Sequence, residues 1–217
     1  MADEAHSDGA AVTPARDHWD NVYRHKAEHE VSWFEERPDL SLSLLRSAGI
    51  GLDVAVIDVG GGASALVDAL IVEGQAHVTV LDLSAAALDR AQQRLPGVRS
   101  VDWVVADIRS WTPTRHFHAW HDRAAFHFLT EVSDQNAYVT VLKSALLVGG
   151  VAVIGTFAPD GPKKCSGLPV ARHDCTSLQR LLGPDFDLLG SISHEHHTPS
   201  GSVQKFQFST FRRRGAP

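Results

Sequence analysis

Apolar positions along the chain first follow a helical period and then alternate between two patterns. The polar stretch from Met1 to about Ala15 shows neither and reads as a disordered tail. From Arg16 to about Lys26, Trp19, Val22 and Tyr23 share one face of a predicted helix. The segment Val31-Ser32-Trp33-Phe34 leads to Pro38, and a second helix, Leu40 to Ala48, stops near Gly49 and Gly51. The alternation then begins. Val54 to Ile57 is an apolar run of buried-strand type ending at Asp58, and Gly60-Gly61-Gly62 turns the chain into a helix from Ser64 to Glu73. His77 to Leu81 is a second strand, ending at Asp82, and Ser84 caps a helix from Ala85 to Leu95. Further strands are predicted at Val101–Val105, Phe117–Phe126 and Val151–Gly155, with helices at Asn136–Leu147 and Ser177–Leu182. Two last strands, Phe186–His194 and Val203–Phe211, flank a Thr-Pro-Ser-Gly turn.

Strands that alternate with helices form a parallel sheet covered on both faces. The connection between the final two strands is too short for a crossover helix, so they pair antiparallel. The expected architecture is an α/β doubly wound sheet of seven strands with an antiparallel C-terminal strand, forming one domain over residues 16–213.

Composition narrows the possible partners. The 217 residues are 43% hydrophobic and 21% charged, which is ordinary globular usage, and the net charge of -6 argues against nucleic acid as the main partner. No apolar run reaches the ~20 residues of a membrane span, and the polar start has no signal-peptide core, so the expected location is cytoplasmic. Cys165 and Cys175 are too few for a disulfide framework.

In a doubly wound sheet, ligands bind beyond the C-terminal ends of the strands. Gly60-Gly61-Gly62 can bring bare backbone close to a ligand there, with Gly60-x-Gly62-x-x-Ala65 also fitting a dinucleotide fingerprint. Asp58 precedes that turn. Asp82 ends the second strand, placed to accept ribose hydroxyls, and Asp107 ends the third, beside the place of an adenine. Three acids after three consecutive strands point to an adenosine cofactor. Asp58 would repel a pyrophosphate but suits a cation. S-adenosylmethionine carries an ammonium and a sulfonium, so it is favoured over a nicotinamide cofactor.

With these motifs, the chain from about Asp17 to Arg213 resembles class I S-adenosylmethionine-dependent methyltransferases, which have a Rossmann-like fold. The first motif, Val56-Ile57-Asp58-Val59-Gly60-Gly61-Gly62-Ala63-Ser64-Ala65-Leu66, departs from the commoner form at Ser64. Its Ser-Ala-Leu ending is similar to a methyltransferase-like subgroup that includes lysine methyltransferases of elongation factor and citrate synthase. His18-Trp19-Asp20-x-x-Tyr23 and Val31-Ser32-Trp33-Phe34 resemble that subgroup's cofactor-covering N-terminus. The resemblance implies helices covering the cofactor over residues 16–50. It also implies cofactor contacts at Trp19, Tyr23, Trp33, Gly60, Asp82, Leu83, Asp107, Ile108, Asp122 and Arg123, and S-adenosylhomocysteine as product; Asp58 and Gly62 of the glycine turn are expected to bind the cofactor as well. Lysine-modifying relatives tend to carry an acid a few positions after the pair matched by Asp122-Arg123, where this chain has His127. The run Trp120 to Thr130 more strongly resembles a group of small bacterial methyltransferases of poorly defined substrate.

Topology brings the loops after strands four, five and six to the acceptor side. His127 is the expected general base, since a neutral imidazole suits a thiol or similar proton, and Cys165 is a candidate for contact with a soft substrate. Of the run His194-Glu195-His196-His197, only His194 and His196 share a strand face, and no metal site is expected. The expected function is methyl transfer to a nucleophile on a small molecule, a thiol or other soft atom. Methylation of protein lysine and cofactor binding without chemistry are the alternatives. Nothing in the sequence sets the oligomeric state.

Overall fold

The computed structural model describes residues 13–215. The predicted N-terminal tail therefore lies mostly outside the described residues. Its last part does not: helix α1 spans Pro14–His25, with the Thr13 hydroxyl accepting from the Arg16 amide and Pro14 in the first turn. Proline there loses no hydrogen bond and enters with a helical φ.

The chain continues through α2 (Asp39–Ser47), β1 (Ala55–Val59), α3 (Leu66–Val72), β2 (His77–Asp82), α4 (Ala85–Arg94), β3 (Val101–Val105) and β4 (Phe117–Arg123). It then forms α5 (Val132–Ala145), β5 (Leu146–Phe157), β6 (Lys164–Cys165), β7 (Leu168–Pro169), α6 (Cys175–Leu182), β8 (Phe186–His197) and β9 (Val203–Arg213). Seven strands form one sheet in the order β3-β2-β1-β4-β5-β9-β8. Only β9 runs against the others, pairing antiparallel with both β5 and β8. This is the expected doubly wound architecture, with the chain reversing direction across the sheet at β1 and β4.

The sheet's two faces feed two cores. Val56, Val78, Val80 and Val153 point to one side and pack against Leu42 and Leu45 of α2, Leu66 and Leu70 of α3, and Leu88 of α4. Their strand neighbours Ile57, Leu81, Ala152 and Ile154 point to the other, against Tyr138 and Leu142 of α5 and Leu178 of α6. Burial on both faces explains why these strands read as continuous apolar runs.

Several expected boundaries shift. Strand β4 stops at Arg123, short of the predicted Phe126, because Asp122 accepts hydrogen bonds from the Ala125 and Phe126 amides and bends the chain. Ala124 sits at φ 69 in that bend, and a single 3-10 turn, Phe126–Phe128, follows. Helix α5 starts at Val132 and ends at Ala145, and Leu146 already pairs with Phe117 in the sheet. The β6–β7 hairpin inside the long loop after β5 was not predicted. Its turn places Ser166 and Gly167 at positive φ, 49 and 80.

Candidate active site

Where β1 and β4 diverge, a cavity of about 360 Å3 opens at the C-terminal ends of the strands. Its floor is Gly60, Leu81 and Asp82, its side wall Asp107, Ile108 and Arg109, and its far end Arg123, Phe128 and Cys165. Trp19 and Tyr23 of α1 and Trp33 of the following loop close it from above.

The floor requires glycine. Gly60 has φ +65, and a Cβ there would stand 2.3 Å from that of Ala125. Gly62 has φ +47, and a Cβ would stand 2.9 Å from the Tyr23 hydroxyl and 3.0 Å from Asp82 Oδ2. Any side chain at either position is both strained and blocked. Gly62 does not line the cavity itself; it lets Tyr23 and Asp82 close up beside it.

Asp82 is 8% exposed and has no cationic partner among the described residues. Burial pushes its carboxyl up to about 7, against the Ser84 amide, which donates to it at 2.8 Å. Nearby Asp58 and Asp20 push in the same direction as burial. Asp107 is the opposite case: the Arg109 guanidinium, 2.6 Å away, holds its carboxyl below the usual range. Arg109 also reaches Asp134 at 2.9 Å, tying the loop after β3 to α5 across the side wall. Sequence reasoning missed Arg109 and Asp134, whose only signal was opposite charge on facing elements.

The roof is aromatic. Trp19 meets Trp33 and Phe128 edge-on at 5.7 and 4.8 Å between ring centroids, and Tyr23 meets Trp33 at 6.2 Å. Such pairs contribute about 0.5–1.5 kcal/mol each beyond burial. Asp20 fastens α1 down by accepting from Ser84 Oγ at 2.5 Å and the Ala86 amide at 3.3 Å. At the far end the β6–β7 hairpin contributes Cys165, Leu168 and Pro169, and His18 Nε2 lies 3.3 Å from Ser166 Oγ. The roof is thus one layer made from two distant segments.

The predicted site residues separate into two groups. Trp19, Tyr23, Trp33, Gly60, Asp82, Leu83, Asp107, Ile108, Arg123 and Cys165 line the cavity. Asp58, Asp122 and His127 do not. Asp58 is turned under the glycine turn and bonded to His121. The expectation that it would face the ligand and exclude a pyrophosphate is therefore corrected, because the buried imidazole takes its carboxylate. Asp122 accepts from the Phe126 amide and from the Tyr138 hydroxyl at 2.8 Å; burial lifts it to about 6, and its work is to shape the bend.

His127 is fully buried against Phe128 and Phe157, and neither ring nitrogen has a hydrogen-bond partner among the described residues. Burial, reinforced by Arg123 and His173, lowers its pKa to about 3. It does not line this cavity and resists protonation near neutral pH, so the geometry does not support it as a general base. Burial raises the Cys165 thiol to about 11, against Ser32 and Arg123, so it is protonated at pH 7. His194 and His196 lie away from the cavity lining.

Comparison with known proteins agrees with this geometry. Residues 56–150 match the family described as a methyltransferase domain. Nodulation protein S of Rhizobium tropici is 26% identical over 121 residues, 56% of this chain; the matched part spans half the length of that relative. A solved structure described by the conversion of a disulfide bond into a thioacetal group during echinomycin biosynthesis superposes with a TM-score of 0.73 at 21% identity, covering 92% of this chain and 91% of the other. The Burkholderia thailandensis 1,6-didemethyltoxoflavin-N1-methyltransferase, bound to 1,6-didemethyltoxoflavin and S-adenosylhomocysteine, superposes with a TM-score of 0.68 at 18% identity, covering 96% and 93%. The sheet order is that of the Rossmann-like fold shared with these structures, and residues 56–150 are similar to a methyltransferase domain. The cofactor fits the residues present: a floor glycine, Gly60, that admits no side chain, a buried carboxylate that has no ion-pair partner among the described residues, and an aromatic roof suited to a positively charged sulfonium.

Proposed function

We propose that the protein transfers a methyl group from S-adenosylmethionine to a soft nucleophile, a thiolate foremost, on a small apolar molecule. The bound cofactor supplies an electrophilic methyl group. In this reading Asp82 accepts hydrogen bonds from the ribose hydroxyls, and Gly60 lets the backbone approach the ligand. Leu83, Ile108 and Asp107 border the base. Trp19, Tyr23 and Trp33 exclude water from the reacting centre.

Arg123 carries the acceptor assignment. Its guanidinium is buried at the far end of the cavity, where burial lowers its pKa, and it donates to the Trp33 carbonyl at 2.9 Å. It also stands 5.2 Å from the Phe206 ring centroid. The lining beside it is Phe128, Leu129, Leu168, Pro169 and the protonated Cys165. The guanidinium is paired with Glu35 at 3.1 Å but keeps hydrogen-bonding capacity at Nε and Nη2, so it favours an anionic nucleophile in this apolar end and disfavours the ammonium of a lysine side chain. A thiol that ionises under this charge needs no protein base, consistent with the position of His127. The small-molecule acceptor of the toxoflavin methyltransferase supports the size class, and the sulfur chemistry named for the echinomycin enzyme supports the atom.

The test is incubation with isotopically labelled S-adenosylmethionine and a panel of small thiols, small amines and lysine peptides. Label in a small thiol is the expected result. Label confined to peptides would favour the lysine alternative, and tight cofactor binding with no transfer to any acceptor would favour a binding protein without chemistry.

A further inference from the structure

On the outer side of Arg123, away from the cavity, Glu35, His194 and His196 each present one donor atom, and the three atoms lie within 4.8 Å of one another. The two histidines come from alternate positions of β8, and Glu35 comes from the loop between α1 and α2, more than 150 residues earlier in the chain. We propose that these three residues form a binding site for a borderline first-row divalent cation, with Zn2+ the best chemical match.

The orientation of His196 is the first argument. It is 4% exposed, and its Nε2 lies 2.8 Å from the Ser32 carbonyl oxygen. A carbonyl only accepts, so Nε2 carries the proton, and in the neutral ring Nδ1 presents a lone pair. That nitrogen faces Glu35 Oε1 at 3.7 Å, too far for a hydrogen bond. An imidazole held by a backbone carbonyl on one nitrogen, with the other free, is the usual arrangement of a metal-bound histidine.

The other two donors complete the set. Among the described residues, neither ring nitrogen of His194 has a hydrogen-bond partner, and its ring is held edge-on to Phe208 at 6.1 Å. Glu35 meets Arg123 at 3.1 Å through Oε1, the same oxygen that faces His196. Oε2 is left for a cation. Arg123 lies close to Glu35 but without hydrogen-bond alignment of its Nη2, so it balances the carboxylate rather than saturating it. Two imidazoles and one carboxylate match the donor set of zinc sites that keep open positions for water. Calcium and magnesium prefer oxygen alone. Tetrahedral ligation places donor atoms about 3.3 Å apart, so side-chain rotation on the scale of one ångström brings the three together. The site borders a surface hollow lined by His29, Glu36 and His197, which gives water and the ion access.

Arg123 links this site to the cavity, because the same guanidinium touches Glu35 and lines the acceptor end. A cation on Glu35 would compete with Arg123 for the carboxylate. The metal is therefore placed to act on acceptor binding without touching the cofactor.

The test is calorimetric titration of the full chain, freed of metal by a chelator that is then removed, with Zn2+. One ion per chain is expected. Affinity should fall at least tenfold in Glu35→Gln and in His194→Ala, and should change less than twofold in His197→Ala, whose imidazole is exposed nearby. Titration with Co2+ should give the visible absorption of a four- or five-coordinate ion, lost in Glu35→Gln. Glu35→Gln keeps side-chain shape at a partly exposed position, so folding is not at stake. No one-to-one binding, or equal losses in His197→Ala and His194→Ala, would overturn the site.

Discussion

Asp58 Oδ1 lies 2.7 Å from His121 Nδ1, and both side chains are almost wholly buried. The other ring nitrogen of His121 lies 2.9 Å from the Ser41 hydroxyl, so a line of three polar groups runs from β1 through β4 to α2. Ser41 is 1% exposed and does not line the cavity, so the arrangement is a structural strut despite its likeness to a hydrolase triad. It fixes α2 on the sheet directly beneath the glycine turn.

Replacing His121 by leucine strands a buried carboxylate and a buried hydroxyl. Such losses cost about 1–3 kcal/mol, and for a chain of this size each kcal/mol moves the unfolding midpoint by roughly 2–4 °C. A lower thermal midpoint is expected for His121→Leu. An unchanged midpoint would show that the strut is dispensable.

Cofactor affinity should depend on pH through Asp82. Its carboxyl is raised to about 7 in the free protein, while a cationic ligand with hydroxyl donors favours the carboxylate. Below that value a proton must leave on binding, so affinity rises with pH and levels off above it. Between pH 6 and 8 the affinity for S-adenosylmethionine should rise about tenfold. The Asp82→Asn variant should bind weakly with no such rise; the same slope in the variant would assign the proton elsewhere.

His127 should govern acid stability. Its folded pKa of about 3 lies below the ordinary 6.5, so its contribution is complete above pH 6.5 and is lost as pH falls toward 3. Thermal midpoints should therefore fall less steeply below pH 6.5 in His127→Leu than in the parent chain. The shape of the turnover profile between pH 6 and 9 should be unaltered. Loss of an acid limb in that profile would restore His127 as a proton acceptor.

For Arg123, the prediction separates acceptor from cofactor. Arg123→Met should lower kcat/KM for a thiol acceptor at least tenfold, about 1.4 kcal/mol. Affinity for S-adenosylhomocysteine should change less than threefold. Equal losses in both would make Arg123 a support of the roof alone.

The parts legible in the sequence are those set by local rules. Apolar runs bounded by glycine gave the strands β1 to β3, and the acids at their ends located Asp82 and Asp107 on the cavity wall. The same rule failed at Asp58, and the family resemblance failed at Asp122, because a strand-end acid can turn toward a buried imidazole or toward the amides of its own bend. Nothing local distinguishes those cases from Asp82. The strand-face rule paired His194 with His196, but the third donor, Glu35, arrives from another part of the chain. The β6–β7 hairpin was hidden by its length of two residues per strand.

In the proposed function the buried Asp82 carboxylate at the end of β2 receives the cofactor's ribose. Calorimetric titration of the parent chain and Asp82→Ala with S-adenosylhomocysteine, and of the parent chain with NAD, tests this most directly. The predicted result is binding of S-adenosylhomocysteine by the parent chain, at least tenfold weaker binding by Asp82→Ala, and no binding of NAD. Equal affinity in the two chains, or a preference for NAD, would contradict it.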